Sequence, residues 1–362
     1  MSSLEKYFII GIFSDNSEIA SNLGTYFGKS DQYSDLKFYD QLDEQNNLVF
    51  CAIQPISYPD KIKSLIQALV LSNYHIIIID NDKGLNSVTG EILIAVDTFY
   101  NYIKNKNSFP IILISNITPA NEYKLDENVK KLKTILNTTS ISNSPIFIIK
   151  ENEDRDLLRK YIINAISSFQ NYSYKKEDAI VLIDSAFPVK GIGTVILGIV
   201  QNGTIEVGDM LNLIGLNKKT IIKSIQKQDR DFKTAIAGER VGISIKGVKP
   251  EEIDRNYVLA ASDLYEIKNS FKINLYISPY FGNLNEISEN RQFTIFINLS
   301  QTPIKIKNID KEKIKQKVQK DVEVECVNPI PIPIKNPKGI IVELNKFANK
   351  SRILGHCEII LK

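Results

Sequence analysis

Residues 186–209 read AFPVKGIGTVILGIVQNGTIEVGD, and they carry the clearest structural signal in the middle of the chain. Two short runs, GTVILGIV and TIEVGD, are rich in β-branched residues and are separated by turns that contain Gly and Asn. Such runs predict strands joined by tight turns, because glycine adopts the backbone conformations that tight turns need. The stretch therefore predicts the start of a small antiparallel β-barrel.

The residues that follow continue this all-β pattern to the end of the chain. The runs LNLIG, TIIKSIQ and ERVGISI extend the first barrel, and a second set, beginning near Phe271, comprises INLYI, FTIFINL, VEVECV, GIIVEL and CEIIL. This second set predicts another all-β domain. The charge-rich connection Lys305–Lys320 is predicted to be either a strand with a loop or a short helix.

The first 170 residues show a different pattern, in which continuous apolar runs alternate with helical periodicity. The helical faces include Ile19, Leu23 and Phe27, which recur every four residues. Apolar strands that alternate with helices predict a parallel sheet covered on both faces. The five strand runs are FIIGIF (8–13), LVFCAI (48–53), IIIID (76–80), PIILIS (110–115) and PIFII (145–149). With the polar linker 171–178, the predicted domains are 1–172, 178–264 and 266–362.

The predicted first barrel resembles domain two of the translational GTPases. The family pattern combines a Gly-x-Gly-Thr-Val turn, a strand that ends in Val-Gly-Asp, and a later Ala-Gly-x-x-Val-Gly block. The matching positions are Phe187, Gly191, Gly193, Thr194, Val195, Gly198, Gly203, Val207, Gly208, Asp209, Ala237, Gly238, Val241, Gly242, Gly247, Glu252, Ile253, Arg255, Val258 and Leu259. Residues 222–242 are most similar to the branch around the selenocysteine-specific elongation factor and its archaeal paralogues.

This resemblance implies the fold class of the whole chain, α/β plus all-β. A P-loop GTPase-like parallel-sheet domain should precede the first barrel and a second small antiparallel barrel should follow it. In the family, the three domains together hold the aminoacylated arm of tRNA, and domain two contacts the small ribosomal subunit. The resemblance therefore implies a protein of the translation apparatus, with the ribosome or tRNA as its partner.

The nucleotide motifs of the GTPase family are degenerate in this chain. A phosphate loop reads G-x-x-x-x-G-K-[ST], in which the lysine and the hydroxyl serve the phosphates and Mg²⁺. Here Gly11 matches the first glycine, but asparagine stands in place of the lysine. The Asp-x-Pro-Gly-His motif lacks its Asp, Gly and His, and the guanine-reading Asn-Lys-x-Asp motif lacks its final Asp. The degenerate positions are Asn16, Ser17, Gln54, Tyr58, Ser115 and Thr118.

The basic charge is concentrated in the last third of the chain. Residues 1–173 hold 16 Lys and Arg against 20 Asp and Glu, residues 174–265 hold 13 against 12, and residues 266–362 hold 16 against 10. Local basic charge attracts nucleic acid phosphates, although lysines that only keep a barrel soluble would give the same count. The RNA-binding candidates are Lys311, Lys313, Lys315, Lys317, Lys320, Lys346, Lys350 and Arg352.

The sequence gives little support for a metal or cofactor site, or for a membrane or secreted location. The three cysteines lie far apart and the two histidines are 281 positions apart, so neither a metal site nor any cofactor is predicted. The longest apolar run is strand-sized and no signal peptide is evident, which predicts a cytoplasmic protein without a membrane partner. We therefore predict a non-catalytic protein that binds the ribosome or tRNA and neither binds nor hydrolyses GTP. Two alternatives remain: a divergent GTPase that delivers a special aminoacyl-tRNA, and a protein-binding scaffold that uses the degenerate GTPase domain.

Overall fold

The chain folds into two compact units. The computed structural model describes residues 5–33, 35–102, 110–150, 152–166, 175–261, 263–281, 291–307 and 318–361. The first unit, called the α/β unit, comprises Met1–Gln170, Ser278–Gly282 and Leu344–Leu354. The second unit, called the barrel unit, comprises Asn171–Ile277, Asn283–Glu343 and Gly355–Lys362.

One seven-stranded sheet forms the centre of the α/β unit. Its strands are β1 (Lys6–Ser14), β2 (Lys29–Tyr33), β3 (Leu36–Asp43), β4 (Leu48–Pro55), β5 (Tyr74–Asp80), β6 (Ile111–Ser115) and β7 (Ile146–Ile148), in the order β2-β3-β4-β1-β5-β6-β7. The five strands from β4 to β7 in this order run parallel, which confirms the predicted parallel sheet. The antiparallel hairpin β2–β3 was not predicted, because its residues lack a continuous apolar run.

Within the described ranges, five α-helices accompany these strands. They are α1 (Ser17–Phe27), α2 (Ile62–Leu71), α3 (Ser87–Tyr102), α4 (Leu125–Leu136) and α5 (Asn152–Ile166). Leu23 and Phe27 of α1 are buried, as the periodicity predicts. On α5, Leu158 is buried and Leu157 is 59% exposed. Adjacent residues of a helix point about 100° apart, and only one of the two can face the sheet.

The first barrel of the barrel unit is a closed ring of six strands in the order β11-β16-β8-β9-β15-β12. Gly198 lies where β8 and β9 approach closely, and a Cβ there would come within 2.3 Å of the Leu182 carbonyl oxygen. Gly203 has a φ of +74°, which turns the chain after β9. The strands are β8 (Ile180–Val189), β9 (Gly193–Asn202), β10 (Thr204–Glu206), β11 (Met210–Ile214), β12 (Lys218–Lys227), β13 (Arg230–Phe232), β14 (Thr234–Ile236), β15 (Arg240–Lys246) and β16 (Val258–Ala260).

The second barrel closes in the order β17-β20-β19-β18-β21-β22. Both barrels confirm the predicted all-β architecture. His356 stacks on Tyr276 with ring centroids 4.7 Å apart, and burial lowers the pKa of His356 to about 4, which fits a packing role. Lys305–Lys307 lies in β19 and 318–320 in β20, while 308–317 lies outside the described residues. The strands are β17 (Tyr265–Ile277), β18 (Gln292–Ile297), β19 (Ser300–Lys307), β20 (Val318–Pro333), β21 (Lys338–Val342) and β22 (Ile353–Ile360).

The described residues contain neither a membrane-spanning helix nor a cluster of metal ligands. None of the helices in the described ranges is both long and apolar enough to cross a bilayer. Within the same ranges, no three His, Cys, Asp or Glu side chains lie together in a way that could hold a metal ion. Cys51, Cys326 and Cys357 are all buried as free thiols.

Candidate functional site

The connection between β1 and α1 is the position at which a phosphate loop would lie. It consists of only two residues, Asp15 and Asn16. The Asn16 side-chain oxygen accepts hydrogen bonds from the backbone amides of Glu18 at 3.1 Å and Ile19 at 3.4 Å. Amides at a helix N-terminus are the groups that bind phosphate in phosphate loops. Here Asn16 caps the helix and already satisfies two of them.

Gly11 lies inside β1 rather than at the head of a loop. It pairs with Ile53 on one side and His75 on the other, and β1 continues three residues beyond it. A Cβ at this position would come within 2.6 Å of the Phe13 ring and of the Ser72 hydroxyl oxygen. Gly11 therefore allows close packing within the sheet.

Asp15 brings a negative charge into the same connection. Its side chain is only 4% exposed, and one carboxylate oxygen accepts a hydrogen bond from the Asn86 side chain at 2.5 Å. The ammonium group of Lys83 lies 3.8 Å from that oxygen. A buried carboxylate at this place repels the phosphates of a nucleotide, because like charges interact strongly where water is excluded.

Asp80 lies at the end of β5 and bonds to polar side chains at the ends of the neighbouring strands β1 and β6. Its carboxylate accepts a hydrogen bond of 2.9 Å from the Asn16 side chain and one of 2.8 Å from the Asn116 side chain. The backbone amide of Asp82 donates a third bond of 2.9 Å. Burial acts to raise the pKa of Asp80, but these bonds outweigh it and hold the pKa below its usual value.

Gln54 occupies the place of the first motif aspartate at the end of β4. Its side-chain amide donates to the carbonyl oxygen of Ser17 at 2.9 Å and to the Ser17 hydroxyl at 3.2 Å. Its carbonyl oxygen accepts from the hydroxyls of Ser21 at 3.0 Å and Tyr39 at 2.8 Å. A carboxylate would help to hold Mg²⁺ here, whereas the neutral amide joins β4 directly to α1.

Tyr58, at the place of the motif histidine, is buried. Its hydroxyl lies 3.1 Å from both the Val88 carbonyl oxygen and the Glu91 carboxylate. Burial raises the pKa of Tyr58 well above its ordinary value, and the Glu91 carboxylate raises it further. The hydroxyl thus stays protonated and is bonded inside the protein, so it is not placed to orient an attacking water.

Hydrogen bonds between asparagine side chains and the backbone hold the loop after β6. The sequence analysis did not predict these bonds. Ser115 ends β6 opposite Asp80, and the Thr118 amide donates to the Asn121 side chain at 2.9 Å. Asn121 in turn donates to the Asn116 carbonyl oxygen at 2.9 Å. The only sequence signal for this network was the frequency of asparagine around residues 81, 116, 121 and 128.

A cavity of about 220 Å³ opens beside this loop. Its lining combines aliphatic side chains with the polar side chains of Asn22, Ser115, Asn116, Lys150 and Arg155. No carboxylate is found among the described residues that line the cavity.

The RNA-binding candidates divide into three groups in the structure. Lys320, Lys346 and Lys350 are exposed. Arg352 is buried, because its guanidinium is paired with Glu91, and the prediction that it contacts RNA is therefore wrong. The remaining candidates, Lys311, Lys313, Lys315 and Lys317, lie outside the described residues.

A basic and apolar patch on the first barrel was not singled out from the sequence. Lys219, Ile221 and Lys223 alternate along β12 with their side chains exposed. Met210 of β11 and Lys246 of β15 lie directly opposite Ile221 on either side. Met210 is 62% exposed and Ile221 39%, so aliphatic side chains and ammonium groups share this face. These five residues are called the β12 patch.

The chain is similar in sequence to known translation factors and to one archaeal protein of unknown role. Residues 193–260 match the sequence family described as elongation factor Tu domain 2. An uncharacterized protein of Methanocaldococcus jannaschii is 30% identical over 300 residues, which cover 83% of this chain and 87% of that protein. The selenocysteine-specific elongation factor of the same organism is 32% identical over 209 residues, 57% of this chain but only 43% of that factor.

The structural similarity extends over nearly the whole chain. The crystal structure of translation elongation factor SelB from Methanococcus maripaludis, in complex with the GTP analogue GppNHp, matches with a TM-score of 0.80. The match covers 99% of this chain and 79% of that chain, at 22% sequence identity. At this level of identity, the comparison shows a shared fold: a mixed sheet domain followed by two barrels.

Proposed function

We propose that this chain is a member of the translation elongation factor family, from the branch of the selenocysteine-specific factors, and that it binds the ribosome or tRNA without binding or hydrolysing GTP. The closed connection between β1 and α1 carries this proposal, because Asn16 occupies the amides that phosphates would need. We further propose that the protein works in the cytoplasm and keeps three domains, 1–172, 178–264 and 266–362.

The loss of nucleotide binding follows from several changes that act together. The lysine, the Mg²⁺-binding aspartate and the guanine-reading carboxylate are replaced by Asn16, Gln54 and Thr118. In GTPases, positioning and charge stabilisation supply nearly all of the catalysis, so these losses remove hydrolysis along with binding. Micromolar affinity corresponds to about 8 kcal/mol, which is hard to assemble without those groups.

Isothermal titration with GTP and Mg²⁺ tests this part of the proposal. We expect no heat that fits a dissociation constant of micromolar strength or tighter. Asn16→Lys restores the motif lysine and serves as a second arm, and it should not restore binding because the connection remains two residues long. Micromolar binding by the natural chain would contradict the proposal and would favour the alternative, a divergent GTPase that delivers a special aminoacyl-tRNA.

The RNA part of the proposal is supported by exposed basic side chains on the barrel unit. In the β12 patch, Lys219, Lys223 and Lys246 surround aliphatic side chains, an arrangement that can place ammonium groups on phosphates and apolar groups against riboses. Lys320 is exposed as well, and the net positive charge of residues 266–362 adds to the attraction. Together these groups favour an RNA partner over a protein scaffold.

Co-sedimentation with ribosomes over a series of salt concentrations tests this second part. Phosphate contacts release counterions, so the logarithm of the affinity should fall linearly with the logarithm of salt, with a slope of about −0.7 to −0.9 per phosphate neutralised. Binding of labelled tRNA over the same salt series separates the two RNA partners. Failure to bind either RNA at low salt would contradict the proposal and would leave the scaffold function.

A further inference from the structure

Glu91 of α3 and Arg352 form a buried ion pair inside the α/β unit. Their side chains are 1% and 3% exposed. The guanidinium donates to one carboxylate oxygen at 2.7 Å and to the other at 3.2 Å, and the Arg352 backbone amide adds a bond of 2.8 Å. A forked arginine–carboxylate contact of this kind fixes both partners in direction as well as in distance.

The rest of the guanidinium bonds to the chain between β4 and α2. It donates to the Pro59 carbonyl oxygen at 2.9 Å and to the Asp60 carbonyl oxygen at 3.4 Å. A bond of 3.3 Å to the Asn345 carbonyl oxygen ties it to its own segment. Arg352 thus bonds the backbone oxygens of Pro59 and Asp60, which directly follow the degenerate second motif that ends at Tyr58.

Tyr58 contacts both members of the Glu91–Arg352 ion pair. Its hydroxyl bonds to the same Glu91 carboxylate at 3.1 Å, and its ring centroid lies 6.0 Å from the Arg352 guanidinium carbon. Within the stretch, the Tyr58 amide bonds to the Pro55 carbonyl oxygen at 3.4 Å and the Lys61 amide to the Ser57 carbonyl oxygen at 2.8 Å. Residues 55–61 are therefore bonded to α3 through Tyr58, to Arg352 through Pro59 and Asp60, and to one another through their backbone.

We propose that Glu91 and Arg352 form a permanent clasp that keeps residues 55–61 in one conformation without any nucleotide. Opening the clasp would leave two charges buried without partners, which is a strongly unfavourable state. The stretch that matches a nucleotide-sensing motif therefore behaves as a fixed part of the α/β unit. This inference rests on the proposed function only in that no nucleotide competes for the same groups.

Hydrogen exchange of the Tyr58 and Lys61 amides tests the clasp. The variant Glu91→Leu/Arg352→Met removes both charges together, since replacing a buried ion pair by apolar side chains usually preserves folding. We expect exchange at these two amides to become at least about tenfold faster, with little change in the core amides of β5. The variant Lys350→Met is the matched control, because it alters an exposed cation of the same segment.

Two further arms keep the test decisive. Arg352→Lys keeps the charge but cannot bond Glu91 and the Pro59 and Asp60 oxygens together, so it should give an intermediate rate at Tyr58 and Lys61. Unchanged exchange at both amides in the double variant would overturn the clasp. In a separate measurement, GTP and Mg²⁺ are added to the natural chain and hydrogen exchange is followed at residues 14–17. Protection there would contradict the proposed function. The exchange of the Tyr58 amide in the double variant would still decide whether the clasp exists.

Discussion

The side-chain amide of Asn16 donates a hydrogen bond of 2.9 Å to the carboxylate of Asp80, and so joins the end of β1 to the end of β5. The carboxyl ends of neighbouring parallel strands are where open α/β sheets bind their ligands. Here the polar groups at these ends bond to each other. These bonds tie the ends of β1 and β5 together within the α/β unit.

The first prediction concerns the double role of Asn16. Asn16→Ala removes the helix cap and leaves Asp80 without one donor, so it should lower the free energy of unfolding by about 1–2 kcal/mol. Asn22→Ala, at an exposed position of the same helix, should change it by less than about 0.5 kcal/mol. Urea unfolding measures both. Equal effects would show that the cap does not stabilise α1.

The second prediction concerns the pH dependence of stability. Because folding lowers the pKa of Asp80, its carboxylate stabilises the protein above the pKa of the unfolded chain, and this contribution is lost as the pH falls through the folded-state pKa. The natural chain should exceed Asp80→Asn in stability at pH 7, and the difference should shrink below about pH 4. A pH-independent difference for Asp80→Asn would contradict the assignment.

The third prediction concerns the packing of the first barrel. Gly198→Ala would place a Cβ within 2.3 Å of a backbone oxygen of β8, which cannot move away easily, and should cost about 3 kcal/mol. Gly242→Ala, in β15 of the same barrel, meets only an ordinary contact of 3.5 Å with Leu197 and should be tolerated. Thermal unfolding of the two variants compares them, and similar melting temperatures would argue against a steric reason for Gly198.

The fourth prediction separates two RNA-binding surfaces. Charge reversal of the β12 patch, Lys219→Glu/Lys223→Glu/Lys246→Glu, should weaken ribosome or tRNA binding and flatten its salt dependence by about one unit of slope for each phosphate that is no longer neutralised. The matching reversal Lys313→Glu/Lys315→Glu/Lys317→Glu tests the candidates from the sequence with the same change in net charge. The surface whose reversal flattens the slope is the one that binds RNA. Binding that survives both reversals unchanged would exclude both surfaces.

The sequence predicted the fold where a local pattern decides it. Continuous apolar runs indicated the five parallel strands, because a strand buried on both faces must be apolar throughout. The spacing of glycines around Gly198 indicated the first barrel, since close strand approach excludes any side chain there. The hairpin β2–β3 was not predicted, because the sequences of its two strands are as polar as those of a loop.

The loss of the nucleotide motifs was likewise readable from residue types alone, because Asn16 and Thr118 lack the charges that the motifs need. What replaces the motifs depended on the tertiary structure. Arg352 shows the reason most directly: it looked like one more surface cation, yet it is buried against Glu91, 261 positions away in the chain. Whether a charged side chain meets solvent, RNA or a buried partner depends on what packs against it, and residues distant in sequence supply that packing only once the chain has folded.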